Sequence, residues 1–247
     1  MDRRSNILDL VGQTGRVNVN DLAGRMGVSQ VTIRKDLDLL ERQGLIRREH
    51  GYAEAVSPDN LISRLAVHLD VKRRIAQEAA KLVTDGETVM IESGSCCALL
   101  AAELAASRRV SIVTNSAFIA DYVRNGTAQV VLLGGDYQPE SQVTVGPLNA
   151  QCAQAYHAPW LFIGIDGYAD GQFSGKDMAR AAAVRVMAAR CDQTVVLSEG
   201  SKFTRPGTVS LLPASAVSRV VTDDSLSVIT ELELQAASVK VHLVGAT

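Results

Sequence analysis

The sequence predicts an α/β protein in two parts: a small helical N-terminal domain, then a larger domain on a mostly parallel sheet with helices between its strands. Three observations carry this. Apolar residues near the N-terminus recur at i, i+3, i+4 and i+7, the period of a helix with one buried face. From residue 88 onward, short apolar runs alternate with helical stretches: Thr88–Ile91, Val110–Val113, Val130–Leu133, Trp160–Ile163, Thr194–Leu197, Val220–Thr222 and Val239–Val244. Short continuous runs of this kind suit strands buried on both faces of a parallel sheet. Between the two patterns, Ser57-Pro58-Asp59 breaks the period, so the expected domains are residues 1–55, a linker at 56–60, and residues 61–247.

In the first domain, Val19, Leu22, Ala23 and Met26 form one helical face, and Gly27 ends it with the positive φ that a tight turn needs. Ser29 then stands where an N-cap belongs, its oxygen able to accept an orphan backbone N–H. Ile33, Leu37 and Leu40 make the buried stripe of the second helix, and Gly44 closes it. Helix, tight turn, helix is the plan of a DNA-binding head whose second helix enters the major groove. Ser29, Gln30, Thr32 and Arg34 lie on its outer side, and amide, hydroxyl and guanidinium groups pair with base edges. Lys35, Arg47 and Arg48 suit phosphates. Leu45 to Tyr52 reads as an extended ribbon with His50 near its tip, a wing. The plainer alternative is a solvated helical hairpin; the cap, the turn glycine and the wing, occurring in this order, favour DNA.

Bulk charge neither supports nor opposes nucleic acid. The 247 residues carry a net −2, but residues 1–50 hold nine Lys/Arg against seven acids while the remainder holds sixteen against twenty. The asymmetry has the sign expected of a DNA-binding head, and affinity would depend on local placement and on dimerisation. No apolar run reaches the ~18–20 residues that span a bilayer, and no signal-peptide core follows Met1-Asp2-Arg3-Arg4, so a cytoplasmic protein away from membranes is expected. Cys96, Cys97, Cys152 and Cys191 lack zinc spacing, and His68, His157 and His242 lack partners at ligand spacing. No metal or cofactor is expected.

In the second domain a helix is expected from about Leu61 to Val83, stopped by Thr84-Asp85-Gly86, and placed to couple the two domains. Ligands of open α/β sheets bind outside the carboxyl ends of the strands. The segments there are Glu92-Ser93-Gly94-Ser95-Cys96, Thr114-Asn115-Ser116, Gly134-Gly135-Asp136, Gly164-Ile165-Asp166-Gly167 and Ser198-Glu199-Gly200-Ser201-Lys202. A glycine and hydroxyl loop that opens a helix offers free N–H groups to phosphate, and Lys202 offers charge. Each loop alone also serves simply to turn the chain; five at one edge make the stronger case.

The run Val28-Ser29, Val31-Thr32-Ile33-Arg34-Lys35-Asp36-Leu37, Leu40-Glu41, Gly44-Leu45-Ile46-Arg47-Arg48 and His50-Gly51 resembles the N-terminal signature of the DeoR family of bacterial transcriptional regulators, with Tyr52 where many members have glycine. The Ser-Gly-Ser loop, Thr114-Asn115-Ser116, Gly134-Gly135, Gly146-Pro147, Gly164-Ile165-Asp166-Gly167, Ser201-Lys202-Phe203 and Val221-Thr222-Asp223 extend the resemblance over nearly the whole chain. It implies a winged helix-turn-helix joined to an α/β effector domain similar to the ribose-5-phosphate isomerase and CoA-transferase fold. It also implies operator DNA and a phosphorylated sugar or related metabolite as partners, and Ser93, Gly94, Ser95, Asn115, Asp166 and Lys202 as candidate effector residues; Cys96 and Lys176 join them as candidates at places where the chain departs from the family pattern. Cys96-Cys97 departs from the threonines common in members, and a thiol donates a weaker hydrogen bond than a hydroxyl. Arg180-Ala181 stands where many have Glu-Ala, so Lys176 and Arg180 suit an anion of a different shape, or plain solvation.

The resulting expectation is a regulator, more often a repressor, acting as a homodimer or homotetramer. The alternative is a sugar-phosphate isomerase or transferase with an appended head, in which Glu92, Asp136, Asp166 and Lys202 would serve as acid–base groups. An architectural DNA-binding protein would not need the second domain. Adjacent cysteines at a helix start suggest a redox sensor; packing beneath the loop is the simpler reading.

Overall fold

The structure, a computed structural model, describes residues 3–42, 45–56 and 61–245. The expected helix stop at Gly44 and the Ser57-Pro58-Asp59 break lie outside the described residues. The chain divides into two compact units, Met1–Leu69 and Asp70–Thr247.

In the first unit, α1 (Arg3–Thr14) leads into β1 (Arg16–Asn18), α2 (Val19–Met26), α3 (Gln30–Arg42), the hairpin β2 (Ile46–Glu49) and β3 (Tyr52–Ala55), and α4 (Leu61–Ala66). The local signals act as the sequence implies. Asn18 caps α2, its side-chain oxygen accepting from the Asn20 N–H, and Gly27 ends the helix at φ 65°. Ser29 Oγ accepts the Thr32 N–H at 3.2 Å. Ile33, Leu37 and Leu40 are at most 2% exposed and join Ile7, Val11, Leu22, Ile46 and Ala53 in one core. Arg3 Nε donates to Asp36 Oδ2 at 2.6 Å and ties α1 to α3.

The expected single helix from Leu61 to Val83 is two helices. α4 ends at Ala66 and α5 runs over Leu69–Ala80. The break falls at one residue: His68 sits at φ 50°, outside the helical region, and its N–H goes to Asp9 Oδ1 at 2.9 Å. α4 packs on α1, so the first unit reaches past the expected boundary at 56–60 to Leu69.

The second unit continues through β4 (Thr88–Ile91), α6 (Ser95–Ser107), β5 (Ser111–Thr114), α7 (Ala117–Tyr122), β6 (Gln129–Leu132), β7 (Asp136–Gln138), β8 (Val143–Val145), α8 (Gly146–Gln154) and β9 (Ala158–Ile163). It closes with β10 (Gly167–Ala169), β11 (Gln172–Gly175), α9 (Met178–Ala188), β12 (Cys191–Leu197), β13 (Val209–Pro213), β14 (Arg219–Asp223), α10 (Val228–Ala236) and β15 (Lys240–Val244). Seven strands form one sheet in the order β15-β14-β12-β9-β4-β5-β6, every pair parallel. They are the seven apolar runs of the sequence. Val89, Met90, Ile91, Phe162, Ile163, Val195 and Val196 are fully buried, as strands covered on both faces require.

The other strands of this unit pair antiparallel, β7 with β8 and β10-β11-β13 as a small sheet. No helix among the described residues is long and apolar enough to cross a membrane.

Leu37, fully buried in the first unit's core, should cost about 2–5 kcal/mol on truncation to Ala, whereas Val31→Ala on the same helix, where Val31 is 62% exposed, should stay within about 0.5 kcal/mol. Urea denaturation followed by circular dichroism measures both; equal losses would contradict the packing.

Candidate functional site

On the first unit, α3 presents its leading edge to solvent. Gln30, Arg34 and Lys35 are exposed, and residues four apart on a helix share a face, so Gln30 stands beside Arg34. Ser29 and Thr32 also serve the helix itself, since their hydroxyls lie 3.0 Å apart and Ser29 caps the first turn. Val31, missed on sequence grounds because it reads as one more apolar helix residue, is 62% exposed between them. An exposed methyl pair there suits the 5-methyl of thymine.

The wing is a two-residue hairpin. His50 and Gly51 have φ 46° and 83°, the left-handed pair of the turn that best matches strand twist. His50 is exposed at its tip and Arg47 is exposed on β2. Arg48 is engaged within the unit: its guanidinium pairs with Asp38 on α3, and its backbone N–H donates to Glu41 Oε1 at 3.0 Å. These contacts brace the wing against the helix. Tyr52, the departure from glycine, fastens β1 to β3. The Arg16 guanidinium lies 4.0 Å from its ring centroid, while Arg16 Nε pairs with Glu54 Oε1 at 3.0 Å.

On the second unit, the strand order reverses direction between β4 and β9, which makes their carboxyl ends the switch point where open sheets bind ligands. The two loops there touch through glycines: a Cβ on Gly94 would lie 3.5 Å from the Gly164 Cα. Ser93 is half-buried, Ser95 is 7% exposed, and Cys96 and Cys97 are buried in the first turn of α6 at 4% and 0%. Cys96 therefore packs under the loop instead of lining its surface, and the same burial disfavours a redox role.

Asn115 is fully buried. Its Nδ2 donates to the Thr144 carbonyl at 3.3 Å, and Thr144 donates from its N–H to Asn115 O and from Oγ1 to Leu133 O at 2.6 Å. Asn115 thus holds the β5 loop to β8. Asp166 and Lys176, both expected at the site, meet each other: Nζ and Oδ1 are 3.8 Å apart, with Lys176 45% exposed. Asp177 caps α9 by accepting the Arg180 N–H at 2.7 Å.

Lys202 is half-buried on the 3-10 turn Gly200–Thr204. The turn is held from two sides. Phe203 packs on Tyr168 and Phe173 at centroid distances of 6.0 and 6.3 Å. Gly200 donates to Asp223 Oδ1 at 2.7 Å, and a Cβ there would lie 2.3 Å from the Leu226 nitrogen, so only glycine fits. Burial pushes the Asp223 carboxyl up, but hydrogen bonds from Ser225 and Gly200 outweigh it and hold its pKa below the ordinary carboxylate value. Beside this turn lies a residue that sequence reasoning missed. Lys72, on the first turns of α5, is 3% exposed, and its Nζ is 3.4 Å from Glu199 Oε2. Its sequence signal was weak, since a lysine in an amphipathic helix reads as solvated. Among the described residues, no cluster of three or more His, Cys, Asp or Glu can hold a metal ion.

A winged helix-turn-helix unit followed by a parallel α/β unit with its loops gathered at a switch point defines a DNA-binding protein of the sensor-regulator class. Residues 3–59 match the DeoR-like helix-turn-helix domain and residues 67–224 the DeoR C terminal sensor domain. The chain belongs to the DeoR family. It is 30% identical to the HTH-type transcriptional regulator UlaR of Salmonella arizonae, over 96% of this chain and 97% of that one. It is 29% identical to a protein of Escherichia coli O157:H7 named for transcriptional repression of the aga operon, over 99% and 94% of the two chains. Among solved structures, ribose 5-phosphate isomerase A of Methanocaldococcus jannaschii is similar over 55% of each chain, with 20% identity and a TM-score of 0.41.

Asp223→Asn should destabilise the second unit by about 1–3 kcal/mol at pH 7 by weakening hydrogen bonds to a charged acceptor. Because the folded pKa is lowered, the wild-type advantage is present above about pH 4 and fades as pH falls through the folded value, so the two proteins should converge in acid. Urea denaturation at pH 7 and pH 3 measures this; a difference that grows in acid would refute it.

Proposed function

We propose that the protein is a transcriptional repressor whose first unit binds operator DNA and whose second unit senses a phosphorylated metabolite, a sugar phosphate. The observation that carries the DNA half is the capped α3 with Gln30, Val31, Arg34 and Lys35 on its exposed edge beside a basic wing. In this reading Gln30, Val31, Thr32 and Arg34 meet bases, Lys35, Arg47 and His50 meet phosphates, and Arg48 positions the wing. A head of this size has few base contacts, so the binding form is a homodimer or homotetramer on repeated half-sites. The relatives' names support regulation over catalysis.

The sensing half is supported by the loop cluster at the carboxyl edge, where Ser93-Gly94-Ser95 opens α6 and Lys176 and Lys202 stand on neighbouring segments. N–H groups at a helix start and ammonium groups together suit a phosphoryl group. Ser93, Gly94, Ser95, Asp166, Lys176 and Lys202 are the contact residues of this proposal; Asn115 and Cys96 act beneath them.

Genome-wide footprinting should yield promoter sites with repeated half-sites, and shift assays on those fragments should weaken on adding one member of a pentose and hexose phosphate panel. Loss of the panel compound during the incubation, above a protein-free blank, would make the protein an enzyme instead. Arg34→Ala should cost about 1–3 kcal/mol and relax preference at one base pair, while Lys35→Ala should weaken all fragments alike and flatten the log K against log[salt] slope by about 1. Replacing one operator thymine by uracil should weaken wild-type binding and leave Val31→Ala unaffected; uniform tolerance of uracil would remove Val31 from the base-reading set.

A further inference from the structure

The Lys72–Glu199 ion pair stands out because an ammonium and a carboxylate are held away from water at 4% and 12% side-chain exposure, beside a sheet edge suited to anions. Breaking a buried pair leaves an uncompensated charge, so such a lysine stays with whichever anion reaches it. Its position gives that choice a consequence. Glu199 follows β12, whose neighbour β9 carries the Gly164–Asp166 loop, and the next strand, β4, carries Ser93 and Gly94. With strands about 4.8 Å apart, the three loops lie within about 10 Å, the span of one small ligand. Lys72 is on α5, which begins at Leu69, the residue that ends the first unit. Farther along the same helix, Glu78 pairs with His242 of β15 at 3.1 Å, so α5 is anchored to the sheet at both pairs.

We propose that Lys72 is the ligand-responsive cation of the sensor: an effector bearing a phosphoryl group draws its ammonium from Glu199, and the first turn of α5 carries the change toward the DNA-binding unit. This rests on the sensing reading above. A phosphoryl group at neutral pH carries up to two charges and three acceptor oxygens, so it outcompetes a single carboxylate for a buried ammonium. Repulsion from the same group also loosens Glu199. Ground-state pairing and ligand capture are thus alternatives for one cation, which is the bistable contact a switch requires.

The test uses the full chain, an operator fragment from footprinting, and ribose 5-phosphate, glucose 6-phosphate and fructose 6-phosphate as probes. Glu199→Gln removes this carboxylate from Lys72; without any sugar phosphate its operator affinity should differ from wild type by fivefold or more. Lys72→Met should bind the active probe at least tenfold more weakly and lose the operator response. Where Lys72→Met does not fold, as judged by circular dichroism, Lys72→Gln keeps a polar partner for Glu199 and carries the same expectation. Wild-type operator affinity in a folded Glu199→Gln, or wild-type probe affinity in either folded Lys72 variant, overturns the proposal. If no probe binds the wild type, the sugar-phosphate reading fails by itself, and the ligand-free operator affinity of Glu199→Gln still decides whether the pair communicates with the head.

Discussion

A parallel strand cannot follow its neighbour through a tight turn, and that constraint organises the second unit. Each of the seven central strands must return by a crossover, so the chain leaves every one at the same edge of the sheet. The order reverses between β4 and β9, and with right-handed crossovers the connections before and after the reversal lie on opposite faces, opening a crevice between the diverging loops. The loops that leave that edge come from segments far apart in sequence: Ser93 and Gly94 after β4, Gly164 to Asp166 after β9, and Glu199 after β12. Their adjacency is a product of strand order.

A crevice of this kind is useful only if its walls hold still, and here the loops are fixed from behind. Thr144 and Asn115 exchange hydrogen bonds between β8 and the loop after β5. Asp223 accepts from the Gly200 N–H, and the Tyr168, Phe173 and Phe203 rings clamp the turn that bears Lys202. Buried polar contacts of this sort specify one arrangement, so the loops are ordered before any ligand arrives. The first unit is built the same way. Ser29 fixes where α3 begins, Arg48 and Asp38 set the wing against it, and the groups left exposed are those that suit DNA.

Much of this was legible in the residues. The seven apolar runs are the seven parallel strands; burial on both faces leaves no room for polar positions at the centre of the sheet, and the edge strands β6 and β15 keep enough Val and Leu to be read, with exposed Gln129, Lys240 and His242 among them. The cap at Ser29 and the turn at Gly27 were readable because they are local. The short strands β7, β8, β10, β11 and β13 were not: runs such as Asp136-Tyr137-Gln138 have no apolar period, and their pairing is made by partners on neighbouring segments. The helix expected over 61–83 failed at His68, where one hydrogen bond to Asp9, 59 residues earlier, goes with a left-handed backbone. An apolar period sees neither end of such a contact.

The sequence by itself determined the two-part architecture, the family, the start of the recognition helix and the strands of the sheet, since each depends on near neighbours along the chain. Only the tertiary structure decided which charged groups are engaged and which are offered. Arg48 and Lys72 look alike in the sequence to Arg47 and Lys35, yet the first pair is folded onto Asp38 and Glu199 and the second is exposed. The difference lies in the dielectric and in the partner that the fold brings within reach, and both depend on residues distant in the chain.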